Sequence, residues 1–311
     1  MMKKIVITEF MDEAAVASLK ARFPDTVYDP QLVDKPALLL SAAADCDALI
    51  VRNRTQVRGD LLHAMQKCSV VGRLGVGLDN IDMVACQARG IEVIPATGAN
   101  ALAVAEYVIT TAMLLLRGSY LSTAAVTSGK WPRNVLSTGR ETAGKTLALL
   151  GFGDIGQRVA KMAVAMNMRV VAYDPMLATG HPAWHLAEQL DLPAALARAD
   201  VLSLHVPLTP ETQNLLSAER LGQLKKGAIL INTARGGLVD ESALAALMRQ
   251  GHIAGAAIDV FANEPLPASE LWSGIENLVL TPHIAGVSAE ANVRVSEMIA
   301  DRVLAALSTF D

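Results

Sequence analysis

The sequence is poor in cysteine, in net charge and in long apolar runs. Its 311 residues hold three cysteines, Cys46, Cys68 and Cys86, with no CxxC pair and no histidine at a ligand spacing. A sparse, odd set of this kind excludes a disulfide framework and a cysteine-based metal site, and reads as reduced core thiols of a cytoplasmic protein. No metal is expected. The 31 acidic and 27 basic residues leave a net charge of −4 without any block of like charge. Nothing in that balance would attract nucleic acid or an anionic membrane. The longest apolar stretch, Ala101 to Leu116, contains Glu106 and is too short to span a bilayer comfortably. The start, Met1 to Glu9, has two lysines but no apolar h-region, so it reads as a first strand and not as a signal peptide. No solenoid repeat and no low-complexity segment is present. What remains is a soluble chain long enough for two domains.

Against those absences stands one strong local signal. Leu147-Ala148-Leu149-Leu150 runs into Gly151-Phe152-Gly153-Asp154-Ile155-Gly156, and a helical pattern follows at once with Val159, Met162, Ala163 and Met166. An apolar strand, Gly-x-Gly-x-x-Gly and a helix in that order form a dinucleotide-binding turn. Gly151 permits the turn, Gly153 lets a phosphate approach the backbone, and Gly156 lets helix and strand pack closely. The helix N-terminus, through Asp154 and Ile155, offers N–H groups and partial positive charge to a pyrophosphate. A second strand, Arg169 to Tyr173, ends in Asp174, about 18 residues beyond the last glycine, where an acid accepts hydrogen bonds from an adenine ribose. Asp174 would repel a 2′-phosphate, so the expected cofactor is NAD.

The rest of the chain alternates strand and helix, which implies parallel, doubly wound sheets. Strands are expected at Lys4–Thr8, Thr26–Tyr28, Ala48–Val51, Val70–Arg73 and Glu92–Ile94 before the glycine turn. After it they are expected at Val201–Leu204, Ala228–Asn232, Ala256–Asp259 and Asn277–Leu280. Asp12–Phe23 reads as an early helix, with Val16, Leu19 and Phe23 on one face. Asn100 to Arg117 reads as a long apolar helix with Asn100 as its N-cap. Gly118 to Thr142 is less regular, and a last helix runs from about 289 to 307. The expected fold class is therefore α/β with two doubly wound parallel-sheet domains, a Rossmann nucleotide-binding domain and a flavodoxin-like substrate domain, with a cleft between them. The substrate domain is expected to be discontinuous, residues 1–98 and 288–311, and the nucleotide-binding domain is 99–287.

Three charged residues stand at the ends of successive later strands: Arg235, Glu264 and His283. In open α/β sheets ligands bind outside the carboxyl ends of strands. Reduction of a 2-keto acid needs a cation to hold the carboxylate, and arginine does so with a bidentate fork. It needs a proton donor that titrates near neutrality, which is histidine's range. A carboxylate bonded to the imidazole would fix its tautomer and favour its protonated form. Each residue taken singly has a plain reading: surface cation, turn acid, strand-end cap.

Together with their neighbours these residues become recognisable. Gly151 to Gly156, His205-Val206-Pro207-Leu208-Thr209-Pro210-Glu211-Thr212, Leu224 to Gly237, Asp259-Val260-Phe261-Ala262-Asn263-Glu264-Pro265 and Thr281-Pro282-His283-Ile284-Ala285-Gly286 follow one another in order. In them the chain resembles the D-isomer-specific 2-hydroxyacid dehydrogenase family along nearly its whole length, phosphoglycerate dehydrogenase-like members included. The resemblance implies that Arg235 orients substrate, that His283 is the acid/base and that Glu264 is its partner. It also implies that Val206, Thr233, Ala234, Asp259 and Gly286 line the cofactor, with Asp259 able to hold the carboxamide. In the first domain, Val71 to Asn80 matches the family's substrate loop, where backbone N–H groups of Gly75, Val76 and Gly77 would cradle a carboxylate.

Val51-Arg52-Asn53-Arg54-Thr55 resembles the loop of phosphoglycerate dehydrogenases that faces the substrate's far end. One or both of Arg52 and Arg54 would bind a second anionic group, phosphate or sulfonate. Two departures leave phosphoglycerate open: 25 residues follow Gly286, with no regulatory domain expected, and His283-Ile284-Ala285-Gly286-Val287-Ser288 differs from the usual His-Ile-Gly-Gly-Ser-Thr. Hydroxypyruvate or glycerate, a plain 2-keto acid and sulfolactate fit the same pattern. The family implies a homodimer through the nucleotide-binding domains, with the Trp131 region as a contact, and hinge closure over the substrate. The alternative function is an NAD(H)-sensing binding protein of the co-repressor type, without significant turnover.

Overall fold

In the computed structural model, which describes residues 3–308, the chain divides into two units, Met1–Asn100 with Val287–Asp311, and Ala101–Gly286. The outer limits expected for the first domain, 1 and 311, lie outside the described residues.

The first unit is built on five strands: β1 (Ile5–Ile7), β2 (Val27–Tyr28), β3 (Ala48–Val51), β4 (Val70–Arg73) and β5 (Glu92–Pro95). They form one parallel sheet in the order β2-β1-β3-β4-β5. Every residue of β1 and β3 is buried, because helices cover both faces of a parallel sheet. The two-residue period of the strands sorts their side chains between two cores. Ile5, Ile7, Ala48, Ile50 and Val70 pack with Val16 and Leu19 of the helix Glu13–Arg22 and with Val295, Ile299 and Val303 of the helix Ala289–Ser308. Val6, Leu49, Val51 and Val71 pack on the other face, with Leu39, Leu61 and all three cysteines. The last helix thus belongs to the first sheet. Its ridge of Ile299 and Val303 rests on Gly72 of β4, where an added Cβ would lie 2.8 and 2.9 Å from their methyls.

The second unit has seven strands: β6 (Thr146–Leu150), β7 (Arg169–Tyr173), β8 (Glu188–Gln189), β9 (Val201–Leu204), β10 (Ala228–Asn232), β11 (Ile253–Ile258) and β12 (Leu278–Leu280). All pair in parallel, in the order β12-β11-β10-β9-β6-β7-β8. The chain runs outward from β6 to β8, returns to β9 beside β6, and runs outward the other way, so the order reverses at β6/β9. The helices Ala101–Arg117 and Asp154–Ala165 pack together on one face. The less regular stretch after Arg117 contains two short helices, Thr123–Thr127 and Arg133–Leu136.

Two expectations need correction. The strand expected at Ala256–Asp259 begins at Ile253 and stops at Ile258, which leaves Asp259 just beyond its end. The side-chain oxygen of Asn100 is buried and has no hydrogen-bond partner, so it does not cap the helix that follows. No helix of the described residues is long and apolar enough to cross a membrane.

Gly72→Val should force Ile299 and Val303 off β4, because overpacking a closed core costs about 1–3 kcal/mol. Thermal unfolding should show a lowered midpoint; an unchanged melt would mean that the helix Ala289–Ser308 does not depend on that contact.

Candidate active site

Three loops at the carboxyl ends of β10, β11 and β12 carry Arg235, Glu264 and His283. His283 Nδ1 lies 2.7 Å from Glu264 Oε2, and Glu264 Oε1 accepts the Phe261 N–H at 2.9 Å. Since a carboxylate can only accept, Nδ1 carries the hydrogen and Nε2 is left for a ligand. His283 has φ 56°, a left-handed backbone that a non-glycine residue keeps only where its surroundings impose it.

Asp259 imposes it. This carboxylate is 1% exposed. Its Oδ1 accepts the Thr281 hydroxyl at 2.6 Å and the Ile284 N–H at 2.8 Å, and its Oδ2 accepts the Ala285 N–H at 2.8 Å. The His283 N–H in turn donates to the Asp259 carbonyl at 2.8 Å. The loop is therefore wrapped around one buried anion, and His283 projects from it. Tyr107, on the helix Ala101–Arg117, extends the network with its hydroxyl 2.7 Å from Thr281 Oγ1. Burial, with Asp259 nearby, pushes the Tyr107 phenol up, and the Thr281 contact opposes that. Arg235 follows a turn tied by Asn232, whose side chain accepts the Ala234 N–H and donates to the Arg235 carbonyl. Gly236 then passes so close to β11's exit that a Cβ would sit 1.9 Å from the Phe261 carbonyl carbon. Only glycine fits there, and that contact joins the arginine loop to the Phe261–Glu264 loop.

The glycine turn sits where the sheet reverses. Gly151 has φ 92°, and a Cβ there would lie 2.5 Å from the His205 carbonyl oxygen, across the gap between β6 and β9. A Cβ on Gly156 would lie 2.6 Å from the Gly151 oxygen, whereas Gly153 opens onto space with nothing within 4 Å. Gly153 is the N-cap of the helix Asp154–Ala165 and supplies no side-chain acceptor, so the leading N–H groups of that helix face outward uncapped. Asp154 turns along the helix to Arg158. Asp174 accepts the Phe152 N–H at 2.7 Å and the Met176 N–H at 2.9 Å, which holds its carboxylate beside the turn. Val206 and Ala234 are half-buried beside this edge, as is Gly286 at the end of the unit. Thr233 Oγ1 is buried without a hydrogen-bond partner, an orphaned polar atom of the kind a bound amide satisfies. Open glycine turn, uncapped helix and orphaned hydroxyl all fit a bound dinucleotide. His205 is a further polar group here: its Nε2 is 3.0 Å from Ser203 Oγ, and burial lowers its pKa to about 4, so the ring is neutral.

In the first unit the order also reverses, at β1/β3, and Arg52 and Arg54 leave β3 at that point. Glu9, just past β1 and 4% exposed, organises their loop. Its carboxylate accepts the N–H groups of Arg52, Arg54 and Thr55 at 2.9, 3.1 and 3.0 Å. The two guanidinium groups part company. Arg54 is exposed and forms a two-pronged pair with Asp34. Arg52 is half-buried, lies over the Phe10 ring at 5.8 Å and donates from Nη2 to Asn292 Oδ1 at 2.7 Å. Burial lowers the Arg52 pKa, and the Glu9 charge opposes this. In the neighbouring loop the Gly75 N–H is engaged by the Arg73 carbonyl at 2.7 Å. That leaves Val76 and Gly77, but not Gly75, with N–H groups for an anion.

Asp259's anchoring role, Glu9, Tyr107, Thr281 and Asn292 were not legible in advance. Tyr107 lies 174 residues from Thr281, and no local pattern could join them.

Fold and site define a protein of the NAD-linked dehydrogenase class. The sequence profile described as D-isomer specific 2-hydroxyacid dehydrogenase, NAD binding domain, matches residues 109–285. The (S)-sulfolactate dehydrogenase of Chromohalobacter salexigens is 50% identical over 98% of this chain and 99% of its own. A D-3-phosphoglycerate dehydrogenase of Mycobacterium tuberculosis is 42% identical over 98% of this chain, which spans 57% of that protein. The NAD-dependent formate dehydrogenase of Staphylococcus aureus, solved in complex with NAD, superposes with a TM-score of 0.83 at 27% identity, covering 98% of this chain and 96% of the other. The chain belongs to the D-isomer specific 2-hydroxyacid dehydrogenase family, and its second unit contains that family's NAD-binding domain.

Asp259→Ala should strand the Thr281 hydroxyl and the two N–H groups together, at roughly 1–3 kcal/mol for each buried partner left unsatisfied. The expected result is a large drop in the unfolding midpoint together with loss of turnover. Full stability in urea would show that the loop holds itself without the carboxylate.

Proposed function

We propose that the protein is an NAD-dependent oxidoreductase that transfers a hydride between nicotinamide and C2 of a small 2-hydroxy or 2-keto acid. The observation that carries this reading is the His283–Glu264 pair at 2.7 Å, set on a loop ordered by Asp259. Arg235 holds the substrate carboxylate through its guanidinium fork. His283 gives the proton at Nε2 to the keto oxygen in reduction and takes it back from the hydroxyl in oxidation. Glu264 keeps the ring in the required tautomer and balances the charge it gains. Bound NADH supplies the hydride. Gly151, Gly153, Asp154, Ile155, Gly156 and Asp174 hold the adenosine and pyrophosphate end, and Val206, Thr233, Ala234 and Gly286 hold the nicotinamide end; Asp259, expected to hold the carboxamide, is instead buried with its carboxylate spent on the 281–285 loop. Val76 and Gly77 cradle the carboxylate by their N–H groups, and Gly75 shapes that turn.

Arg52 is the cation for a second anionic group at the far end of the substrate. It is half-buried, and among the described residues no carboxylate reaches its guanidinium. A substrate of the sulfolactate or phosphoglycerate type supplies that second anion, whereas hydroxypyruvate or glycerate would meet Arg52 with a neutral hydroxyl. The discriminating measurement is NADH oxidation across a panel of 2-keto acids with and without a second anion. His283→Ala should lower turnover by roughly 10²–10⁴-fold while NADH binding, read by fluorescence, persists. Arg52→Gln should raise KM selectively for substrates that carry the second anion. Tight NADH binding without turnover on any keto acid would overturn the enzyme reading.

The same reading makes the protein a cytoplasmic homodimer. Its three cysteines are buried free thiols, which suits a reducing compartment. Trp131 and Val135 are 76% and 74% exposed, with Tyr120 and Leu121 also outward, so the 118–142 stretch offers apolar side chains to a second copy of the chain. Trp131→Glu should convert the dimer to a monomer in light scattering; a wild-type chain already monomeric at high concentration would remove the assignment.

A further inference from the structure

The loop that carries Arg52 has a charge balance that bears on which second anion it takes. Four ionisable groups gather there: Arg52, Arg54, Glu9 and Asp34. Glu9 lies beneath the loop with three backbone N–H groups on its carboxylate. Arg54 is turned to Asp34, which grips it with both oxygens. The Arg54–Asp34 pair is neutral as a unit, and the Glu9 carboxylate is met by its three backbone N–H groups. Arg52 alone presents a guanidinium with uncommitted N–H donors, since one goes to a neutral amide oxygen and its flat face is covered by Phe10. Asn292 has spent its Oδ1 on Arg52, so its Nδ2 hydrogens remain to donate. The local offer is one cation and a neutral amide donor.

A phosphate ester carries about −1.5 to −2 charges at neutral pH. A sulfonate has the same three-oxygen tetrahedral shape but a single charge. A dianion placed on Arg52 would leave most of its second charge uncompensated, since Asp34 already takes up Arg54 and the Glu9 charge already acts on Arg52. A monoanion meets one guanidinium fork and the Asn292 amide without that residue.

We propose that Asp34 is a specificity-determining residue, which by neutralising Arg54 restricts the Arg52 site to a singly charged far-end group, a sulfonate in preference to a phosphate ester. Asn292 is the positioning residue that aims Arg52 and adds the neutral donor. The proposal rests on the reading of Arg52 as the second-anion clamp, and the variants below separate the two.

The test is kcat/KM for oxidation of 3-sulfolactate, 3-phosphoglycerate of the same configuration at C2, and lactate, by the full-length protein at low ionic strength. Wild type should favour the sulfonate over the phosphate ester. Asp34→Asn and Asp34→Ser, which release Arg54 and add one net positive charge, should each raise the phosphate-to-sulfonate ratio by roughly tenfold, and salt should shrink that gain. An unchanged ratio in both variants, or a wild type that already prefers the phosphate ester, overturns the role of Asp34. Asn292→Ala should raise KM for the sulfonate more than it lowers kcat, and Asn292→Gln should recover part of that loss; a pure kcat defect would contradict a positioning role. Arg52→Gln tests the underlying reading. If it weakens the sulfonate no more than lactate, the clamp itself is wrong, whatever the Asp34 variants do.

Discussion

The second unit of this protein depends on one buried carboxylate. Asp259 stands just beyond β11, one strand away from the loop that carries His283, and accepts a hydroxyl and two backbone N–H groups from that loop. An unpaired buried charge is costly, and the usual solution is a counter-ion. Here the charge is satisfied by neutral donors that all come from residues 281–285. The anion cannot be desolvated unless the loop closes on it, and among the described residues the Ile284 and Ala285 N–H groups have no other partner. That coupling holds His283 in a left-handed backbone it would not choose alone. The Glu264 contact then needs only to turn the ring.

Glu9 solves a similar problem in the other unit. It is a buried carboxylate just past a central strand, and it too accepts N–H groups from the loop that follows a neighbouring strand. Both anions sit just beyond the carboxyl ends of parallel strands, beside loop N–H groups that the ladder does not pair. One orders the loop that carries His283, the other the loop that carries Arg52 and Arg54. In each unit the strand order reverses near the loops that matter, at β1/β3 and at β6/β9. At a reversal the connections leave in opposite directions and open a crevice, so a ligand reaches backbone N–H groups that would otherwise be covered.

How much of this could be read in advance follows from how local each signal is. The glycine turn is contiguous, and its three glycines announce the steric contacts found at Gly151 and Gly156 with the open face at Gly153. The central parallel strands are legible as short apolar runs because both of their faces are buried, whereas the exposed edge strand Glu188–Gln189 is not. The Arg235, Glu264 and His283 loops are legible because each follows such a run. The Asp259 and Glu9 networks are not, since an acid after a strand looks the same whether it binds a ligand, a loop or water. Ala256 to Asp259 reads as continuous strand, and the Asp259 N–H does still bond the Asn232 carbonyl, but its own carbonyl and carboxylate go to the loop of residues 281–285, so the strand ends at Ile258. Asn100 failed as a cap because a good capping residue type does not guarantee that its side chain turns toward the helix.

Arg52 and Arg54 show the limit most directly. They are the same residue type two positions apart on one loop, and the sequence offers no ground for separating them. Their difference arises from partners distant in the chain: Asp34, which neutralises one, and Asn292, on the last helix, which aims the other. Asn292 can reach Arg52 only because the helix Ala289–Ser308 returns to the first sheet and packs on Gly72 through Ile299 and Val303. The return of the chain's last helix is therefore more than a packing detail. It carries a polar side chain to the one arginine of the loop whose guanidinium no described carboxylate has claimed, and so joins the topology of the fold to the local charge around Arg52.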